Sequence, residues 1–218
     1  MNILYLLLLF FTVTAVYVPQ AETASANLPA RKARIFVVSS YHREYIWTQE
    51  TNRGFCDAML KTGYFDNSEQ AAEFTRNDFV ETSKAVVRKL WMDTKRKRSK
   101  EEIARSTADI TKAARLFKPD IMLLGDDNAA NYIGNQFLDS SIPVVFWGVN
   151  STAVKYGLVD TMARPGHNVT GVYQPGYIVE GMKLLTVLRP DAKTIAILSD
   201  ESETGRANYK AVEYLARS

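Results

Sequence analysis

The chain has 218 residues, of which 46% are hydrophobic and 23% charged, and its formal net charge is only +3. These values are ordinary for a globular protein, and the length allows one large domain or one and a half small ones. We find no internal repeat and no low-complexity segment, which excludes fibrous and repeat architectures.

The first residues differ from the rest of the chain. Residues 3–18 form a nearly unbroken apolar run without charge, and the small-residue site Ala24-Ser25-Ala26 follows it. This pattern predicts a secretory signal peptide over residues 1–26, cleaved after Ala21 or Ala26. Because the first two residues supply no Lys or Arg, an uncleaved N-terminal membrane anchor remains the alternative. In either case we expect an exported protein, periplasmic or secreted.

After residue 33 the chain alternates between strand-like and helical patterns. The helical stretches are ten or more residues long, which predicts an α/β fold with a parallel sheet flanked by helices. The predicted strands are residues 34–39, 71–75 (a weaker candidate), 120–125, 143–147, 169–173 and 194–198. The predicted helices are residues 48–61, 80–93, 99–117, 128–137, 177–188 and 203–217.

Cys56 is the only cysteine, so an intrachain disulfide is excluded. It lies in a helical pattern beside Phe55 and Met59. We interpret it as a small core hydrophobe, with a reactive or intermolecular thiol as the alternative.

A basic run at residues 95–100 accounts for most of the net charge, and Glu101-Glu102 follows directly. Ser99 and Glu102 have the spacing of a helix capping box. No aromatic residues are interleaved with the charges, so a solvated helix start is favoured over a nucleic-acid patch.

Three of the predicted strands end in polar clusters: Ser40-Tyr41-His42, Asp126-Asp127-Asn128 and Gly148-Val149-Asn150. In an open parallel sheet, ligands bind outside the carboxyl ends of the strands. The aspartate cluster could hold an ammonium group or cap the helix that follows, and both roles can coexist. A metal site is not expected there, since hard cations need more oxygen ligands than one loop offers.

The loop after the first strand carries four large rings, those of Tyr41, His42, Tyr45 and Trp47. Such side chains offer flat apolar area with a polar tip, which suits stacking on a planar or aliphatic ligand. The alternative is that some of them fasten the loop to the first helix.

These residues resemble a known family, the substrate-binding proteins of ABC transporters of the tryptophan and tyrosine type. The likeness is strongest to the branch whose members also serve as periplasmic sensor domains, and it runs in order from about residue 33 to 218. The segments that carry it are the 36–42 strand end, Trp47-Thr48, Asn52-Arg53-Gly54-Phe55, Lys118-Pro119-Asp120, Asp126-Asp127-Asn128-Ala129, Pro143-Val144-Val145-Phe146, Gly148-Val149-Asn150, Asn168-Val169-Thr170-Gly171-Val172, Leu184-Leu185, Leu188-Arg189-Pro190 and Ala192-Lys193.

The resemblance implies a periplasmic-binding-protein type I fold, with two α/β lobes around a small ligand. The first lobe is expected over residues 33–172, and residues 173–218 are expected to be the incomplete beginning of the second, because the family's usual chain is longer. The chain departs from transporter-type members at residues 148–150 and at 173–174, which favours the sensor-like branch. The ligand-binding residues expected are Ser40, Tyr41, His42, Trp47, Asp126, Asp127, Asn128, Asn150, Tyr173 and Gln174.

The function expected is that of a periplasmic solute-binding protein of an ABC-type transporter. Its partners would be a small organic ligand, with amino-acid-like compounds among the candidates, and a membrane permease; no nucleic acid, metal or cofactor is expected. The first alternative is a ligand-sensing domain that reports to a membrane partner. A hydrolase is the second, but His42 and His167 are the only histidines, and no Gly-x-Ser-x-Gly elbow, phosphate loop or zinc spacing occurs.

Overall fold

The computed structural model describes residues 31–150, 153–174 and 176–217, so the predicted signal peptide, residues 1–26, lies outside the described residues. In the part that is described, six strands form one sheet in the order β2-β3-β1-β4-β5-β6. All neighbours are parallel except β2, which pairs antiparallel with β3 at one edge. The strands are β1 (Ala33–Ser39), β2 (Phe79–Glu81), β3 (Ala85–Trp91), β4 (Ile121–Gly125), β5 (Val144–Val149) and β6 (Val169–Tyr173).

Helices connect several of the strands, and two further helices follow the last strand. Their bounds are α1 (Ile46–Lys61), α2 (Ser68–Asn77), α3 (Lys100–Phe117), α4 (Asp126–Asn128, continued by a π-helical turn over Ala129–Gly134), α5 (Ile178–Leu188) and α6 (Glu203–Arg217). Within the described ranges, no helix is both long and apolar enough to span a membrane. The predicted α/β fold class is confirmed, and it places the carboxyl ends of β1, β3, β4 and β5 along one edge.

The sheet is buried on both faces, and successive side chains of a strand point in opposite directions, so one strand contributes to both cores. On β1, Phe36 and Val38 pack with the cluster beneath α3 and the π-helical turn. Ile35 and Val37 of the same strand belong to the opposite cluster with α1 and α2. Cys56 lies in that second cluster at 6% exposure, which confirms the prediction of a core hydrophobe.

Residues 71–75 are helical, so the prediction of a strand there is wrong. Asn67 caps α2 by accepting a hydrogen bond from the backbone N–H of Gln70 at 3.0 Å. This cap starts the helix, and Phe74 is the apolar residue that fastens it to the core.

Residues 80–93 form strands β2 and β3, so the predicted helix is also wrong. Burial along β3 alternates, with Ala85, Val87 and Lys89 buried. This period of two is that of a strand, and the β-branched pair Val86-Val87 favours extended backbone. A buried lysine conceals the apolar alternation, which made the segment look helical.

The predicted strand at residues 194–198 is not formed. This backbone pairs with none of the described strands, and Ile197 and Leu198 are 48% and 101% exposed. An apolar segment does not form a strand when no neighbouring strand is available for backbone hydrogen bonds.

Other boundaries follow the predicted chemistry. The Ser99 hydroxyl accepts from the Glu102 N–H at 3.1 Å, and the Glu102 carboxylate accepts from the Ser99 N–H at 3.1 Å, so the capping box is confirmed. Lys118, in the left-handed region at φ 50°, ends α3 just before Pro119. The Ser99 cap ends the loop that follows β3, and Lys118 ends α3 shortly before β4 begins.

Candidate functional site

The loops at the carboxyl ends of β1, β3 and β4 are fastened to one another by buried hydrogen bonds. The Ser40 hydroxyl donates to the Gly125 carbonyl at 2.7 Å and accepts from the Ala129 N–H at 2.8 Å. The N–H and the hydroxyl of Thr94 both donate to the Ser40 carbonyl, at 2.9 and 2.8 Å. Asn128 donates to the Thr94 hydroxyl at 2.7 Å. Ser40 and Asn128 therefore connect the three loops of the site to one another.

Asp126 is a buried carboxyl group in an unusual backbone conformation. Its φ is 70° and the residue is 2% exposed. Its Oδ1 accepts a hydrogen bond from the indole N–H of Trp47 at 2.6 Å. Burial, reinforced by the charge of Asp127, raises the pKa of Asp126 to about 7 although the Trp47 bond opposes the rise.

The close approach of β5 to Asp126 depends on glycine. Gly148 has φ 68°, and a Cβ there would lie 2.8 Å from Asp126 Oδ1. That conformation is unfavourable for any residue with a side chain, and the space is already taken. Gly148 therefore allows the carboxyl end of β5 to approach the Asp126 carboxyl group closely.

Asp127 gathers side chains from three other parts of the chain. Its Oδ2 accepts from the Asn150 amide at 3.2 Å and from the Thr204 hydroxyl at 2.9 Å. Its Oδ1 accepts from the Tyr156 hydroxyl at 3.0 Å. The loop after β4 is thus bonded to the loop after β5 and to the first turn of α6, and Asp127 is the centre of the site.

Tyr41 extends this network to the loop after β1. Its hydroxyl lies 2.9 Å from Thr204 Oγ1, and because Thr204 donates to Asp127, Tyr41 donates to Thr204. Burial raises the pKa of Tyr41, helped by the negative charge of Asp126 and opposed by the bond to Thr204. Tyr41 stays a neutral hydrogen-bond donor in the site.

The rings of Tyr41, His42 and Tyr45 lie together in the loop after β1 and Trp47 lies in the first turn of α1; we call residues 41–47 the aromatic loop. Tyr41 and Tyr45 meet edge to face, with ring centroids 5.0 Å apart, and His42 lies 5.8 Å from Tyr45. His42 is half-buried, with its Nδ1 3.4 Å from Asp93 Oδ1. Trp47, 36% exposed, joins the loop to Asp126.

Lys95 lies over this aromatic loop, so it is the exception to the predicted solvated run, whose residues 96–100 are exposed. Its Nζ is 5.1 Å from the Tyr41 ring centroid and 5.5 Å from that of Tyr45. The same ammonium donates to Asp200 Oδ2 at 2.8 Å and to the Ser202 hydroxyl at 2.9 Å. Burial opposes ionisation of Asp200, but hydrogen bonds from Lys95 and Ser202 lower its pKa to about 2.

Tyr173 and Gln174 lie at the carboxyl end of β6, at the same edge of the sheet as the Asp127 network. The Tyr173 ring packs edge to face on Phe146, with centroids 5.0 Å apart. The Gln174 backbone N–H donates to the Val149 carbonyl at 3.0 Å, which continues the pairing of β6 with β5. The structure brings Tyr41, Trp47, Asp126, Asp127 and Asn150 together, while Tyr173 packs against the core beside them.

Four residues of this site were missed from the sequence: Thr94, Lys95, Tyr156 and Thr204. Thr94 and Lys95 follow β3, which was taken for a helix, so their position at a strand end was hidden. Correct assignment of β3 would have placed them beside Ser40. Tyr156 lies outside the predicted elements and Thr204 at the start of the predicted helix 203–217, and only the fold brings them to Asp127.

The fold and this edge define a class: an open, mostly parallel α/β lobe whose loops converge at the carboxyl ends of its strands. A family model described as "ABC transporter substrate binding protein" matches residues 95–218. The chain belongs to the ABC transporter substrate-binding protein family. Members of this family bind substrates and are typically extracellular or periplasmic.

Solved structures share the fold at low sequence identity. One from Streptococcus pneumonia, an ABC domain in complex with L-Trp, has a TM-score of 0.62 and 18% identity. A conserved domain protein from Vibrio cholerae has 0.64 and 18%. A ligand-free, open substrate-binding protein with adhesive properties from Clostridium difficile has 0.58 and 21%.

In each of these comparisons 85% of this chain is covered, but only 53–54% of the other protein, so the chain spans about half the length of the solved structures it matches. No curated protein matches the chain. Within the described residues, no group of three or more His, Cys, Asp or Glu side chains is placed to hold a metal ion.

Proposed function

We propose that this chain is a periplasmic solute-binding protein of an ABC-type transporter and binds a small organic ligand between two α/β lobes. The first lobe is residues 33–172 and the second begins at residue 173. Its partners are the ligand and a membrane permease. Family membership and the fold support this proposal.

The observation that carries the proposal is the hydrogen-bond network of Asp127. Asn150 of the first lobe and Thr204 of the second both donate to the Asp127 carboxylate, and Tyr41 of the first lobe reaches it through the Thr204 hydroxyl. Buried polar groups that converge from separate loops are typical of a ligand pocket between domains. A ligand in this cleft would replace part of the network and be held from both sides.

The roles of the ligand-binding residues follow from their contacts. Asp126, Asp127 and Asn150 supply polar contacts to the ligand. The rings of Tyr41, His42 and Trp47 supply apolar area beside them. Ser40 and Asn128, buried at 0% and 6% exposure, hold the loops in place, and Tyr173 and Gln174 begin the crossing to the second lobe.

A thermal-shift screen tests the proposal. Amino acids, small amides and purine-like compounds are added to the purified chain, because a ligand that binds only the native state raises its melting temperature. At least one compound should raise it in the wild type and not in Asp127→Asn. Asp57→Asn, an exposed carboxylate of α1, is the matched control and should respond like the wild type. A response that survives in Asp127→Asn would contradict the site.

A further inference from the structure

We propose that one face of α3 forms a docking groove for an amphipathic helix of another protein that carries acidic residues at both of its ends. The groove has a volume of about 820 Å³. Residues of α3 from Lys100 to Leu116 line it, and Tyr132 and Gln136 contribute the remainder of the lining. None of these residues belongs to the Asp127 network, so this proposal does not depend on the proposed function.

The middle of the groove is lined by small and apolar side chains. Ala104 and Ala108 lie one turn apart on α3 and are exposed, while Ile103 and Tyr132 are half-buried. Residues three or four apart share one face of a helix, and a second helix approaches closely where that face carries small residues. The groove therefore fits the apolar stripe of a helix over about 24 Å, at 1.5 Å of rise per residue.

The charged residues that line the groove are all basic. Lys100 lies at its N-terminal end, Lys112 and Arg115 lie at its C-terminal end, and all three are exposed. Within the described ranges none of the three forms an ion pair. The two basic ends are about 18–23 Å apart along α3, so acidic residues about 12 to 15 positions apart on a partner helix would face them.

A buried hydroxyl group in the groove lacks a hydrogen-bond partner. Thr111 is 8% exposed, and its Oγ1 forms no hydrogen bond in the part of the chain that the structure describes. The Thr107 hydroxyl, one turn earlier, donates to the Ile103 carbonyl at 2.8 Å, as helical threonines commonly do. Because an unpaired buried hydroxyl is unfavourable, a polar side chain that enters the groove beside Thr111 would be stabilised there. This observation is independent of the charges and also indicates a partner.

The same features disfavour other occupants. If two copies of this chain paired groove to groove, basic ends would meet basic ends in either a parallel or an antiparallel arrangement of the two α3 helices. A membrane surface is usually met by large apolar side chains that project from a helix, whereas the exposed residues at the centre of the groove are Ala104 and Ala108. An acidic helix satisfies both the charges and the shape.

Two matched peptides test the charge preference. Each is a labelled, capped helical peptide of about 16 residues with a stripe of Ala and Leu, and one carries Glu at both ends where the other carries Lys. Fluorescence anisotropy measures the affinity of the purified chain for each. The acidic peptide should bind about tenfold more tightly, as expected for two or three partly exposed charge contacts.

Variants locate the binding on α3. Arg115→Glu should weaken the acidic peptide about tenfold and strengthen the basic one, because a charge contact is reversed. Arg105→Glu makes the same change at an exposed position of α3 outside the groove and should leave both affinities unchanged. Ala108→Trp fills the groove from its exposed side and should also weaken the acidic peptide about tenfold. All three positions are exposed, so no variant removes a core contact.

Every other outcome overturns the proposal. If the acidic peptide fails to bind at about 1 mM, or if Arg105→Glu weakens it as much as Arg115→Glu, the groove is not a specific docking site. Binding to phosphatidylglycerol vesicles that Arg115→Glu abolishes, without peptide binding, would assign this face to a membrane. A dimer in size-exclusion chromatography that Ala108→Trp dissociates would assign it to a second copy of the chain.

Discussion

Two features of Asp126, its backbone conformation and its burial, are energetically unfavourable. A left-handed backbone is unfavourable for most side chains, and a carboxyl group buried to 2% exposure is costly to ionise. Such costs are typical of functional sites, where strain is tolerated because the surrounding structure imposes it. Asp126 is therefore a position where substitution should stabilise the protein while impairing binding.

The raised pKa of Asp126 predicts how stability depends on pH. The unfolded carboxyl group titrates near 3.8 and the folded one at about 7, so between these values the native state binds the extra proton. Stability is then greatest below the lower value and falls as pH rises to about 7, by at most ~4 kcal/mol from this group.

Asp126→Asn should remove this dependence, since an amide does not ionise and Asn tolerates left-handed backbone. The melting temperature of the variant should exceed that of the wild type above pH ~7 and approach it near pH ~4. A difference between the two proteins that is constant with pH would show that Asp126 titrates normally.

Gly148 offers a test of the packing around the same carboxyl group. Gly148→Ala would put a Cβ 2.8 Å from Asp126 Oδ1 at a φ of 68°, and we expect a loss of about 1–3 kcal/mol in the free energy of unfolding. Gly54→Ala is the control. Gly54 lies in α1 with open space around it, so alanine should stabilise by about 0.5–1 kcal/mol. Urea denaturation of both variants measures the contrast, and equal effects would contradict it.

The sequence revealed those site residues that follow strands with a clear apolar pattern. Asp126 and Asp127 follow β4, and Asn150 follows β5, so their meeting at one edge could be predicted from parallel pairing. The hydrogen-bond partners of Asp127 could not be predicted in this way. Tyr156 and Thr204 lie 29 and 77 residues from it along the chain, and neither segment carries a local signal.

At the scale of elements, local chemistry predicted α3 well and β3 badly. The start of α3 is encoded in adjacent residues, Ser99 and Glu102. The pattern of β3 depends on Lys89, a charged residue that is buried because Asn52 and Trp91 receive its ammonium. Tertiary contacts of this kind override the single-sequence pattern.

The capping box of α3 makes a prediction at this scale. Ser99→Ala removes the acceptor for the Glu102 N–H, and we expect the free energy of unfolding to fall by about 1 kcal/mol. Ser99→Asp keeps an acceptor at the cap and should remain close to the wild type. Chemical denaturation compares the three proteins; equal stability of Ser99→Ala and wild type would mean that the cap is energetically unimportant.

At the scale of the whole molecule, residues 200–204 contact the loops that follow β1, β3 and β4. Thr204 bonds to Asp127 and Tyr41, and Asp200 with Ser202 bonds to Lys95. Beyond these contacts α5 and α6 are poorly covered: Val187 and Tyr214 are each 75% exposed. Thr204, Asp200 and Ser202 thus connect residues 200–204 to the loops of the proposed site.

Calorimetric titration of the best compound from the screen tests the central claim most directly, because it measures whether both sides of the Asp127 network hold the ligand. We predict one ligand per chain, with affinity reduced roughly tenfold or more in Asp127→Asn and also in Thr204→Val, since each loses a polar contact in the cleft. Wild-type affinity in both variants would contradict a ligand site between the lobes at Asp127.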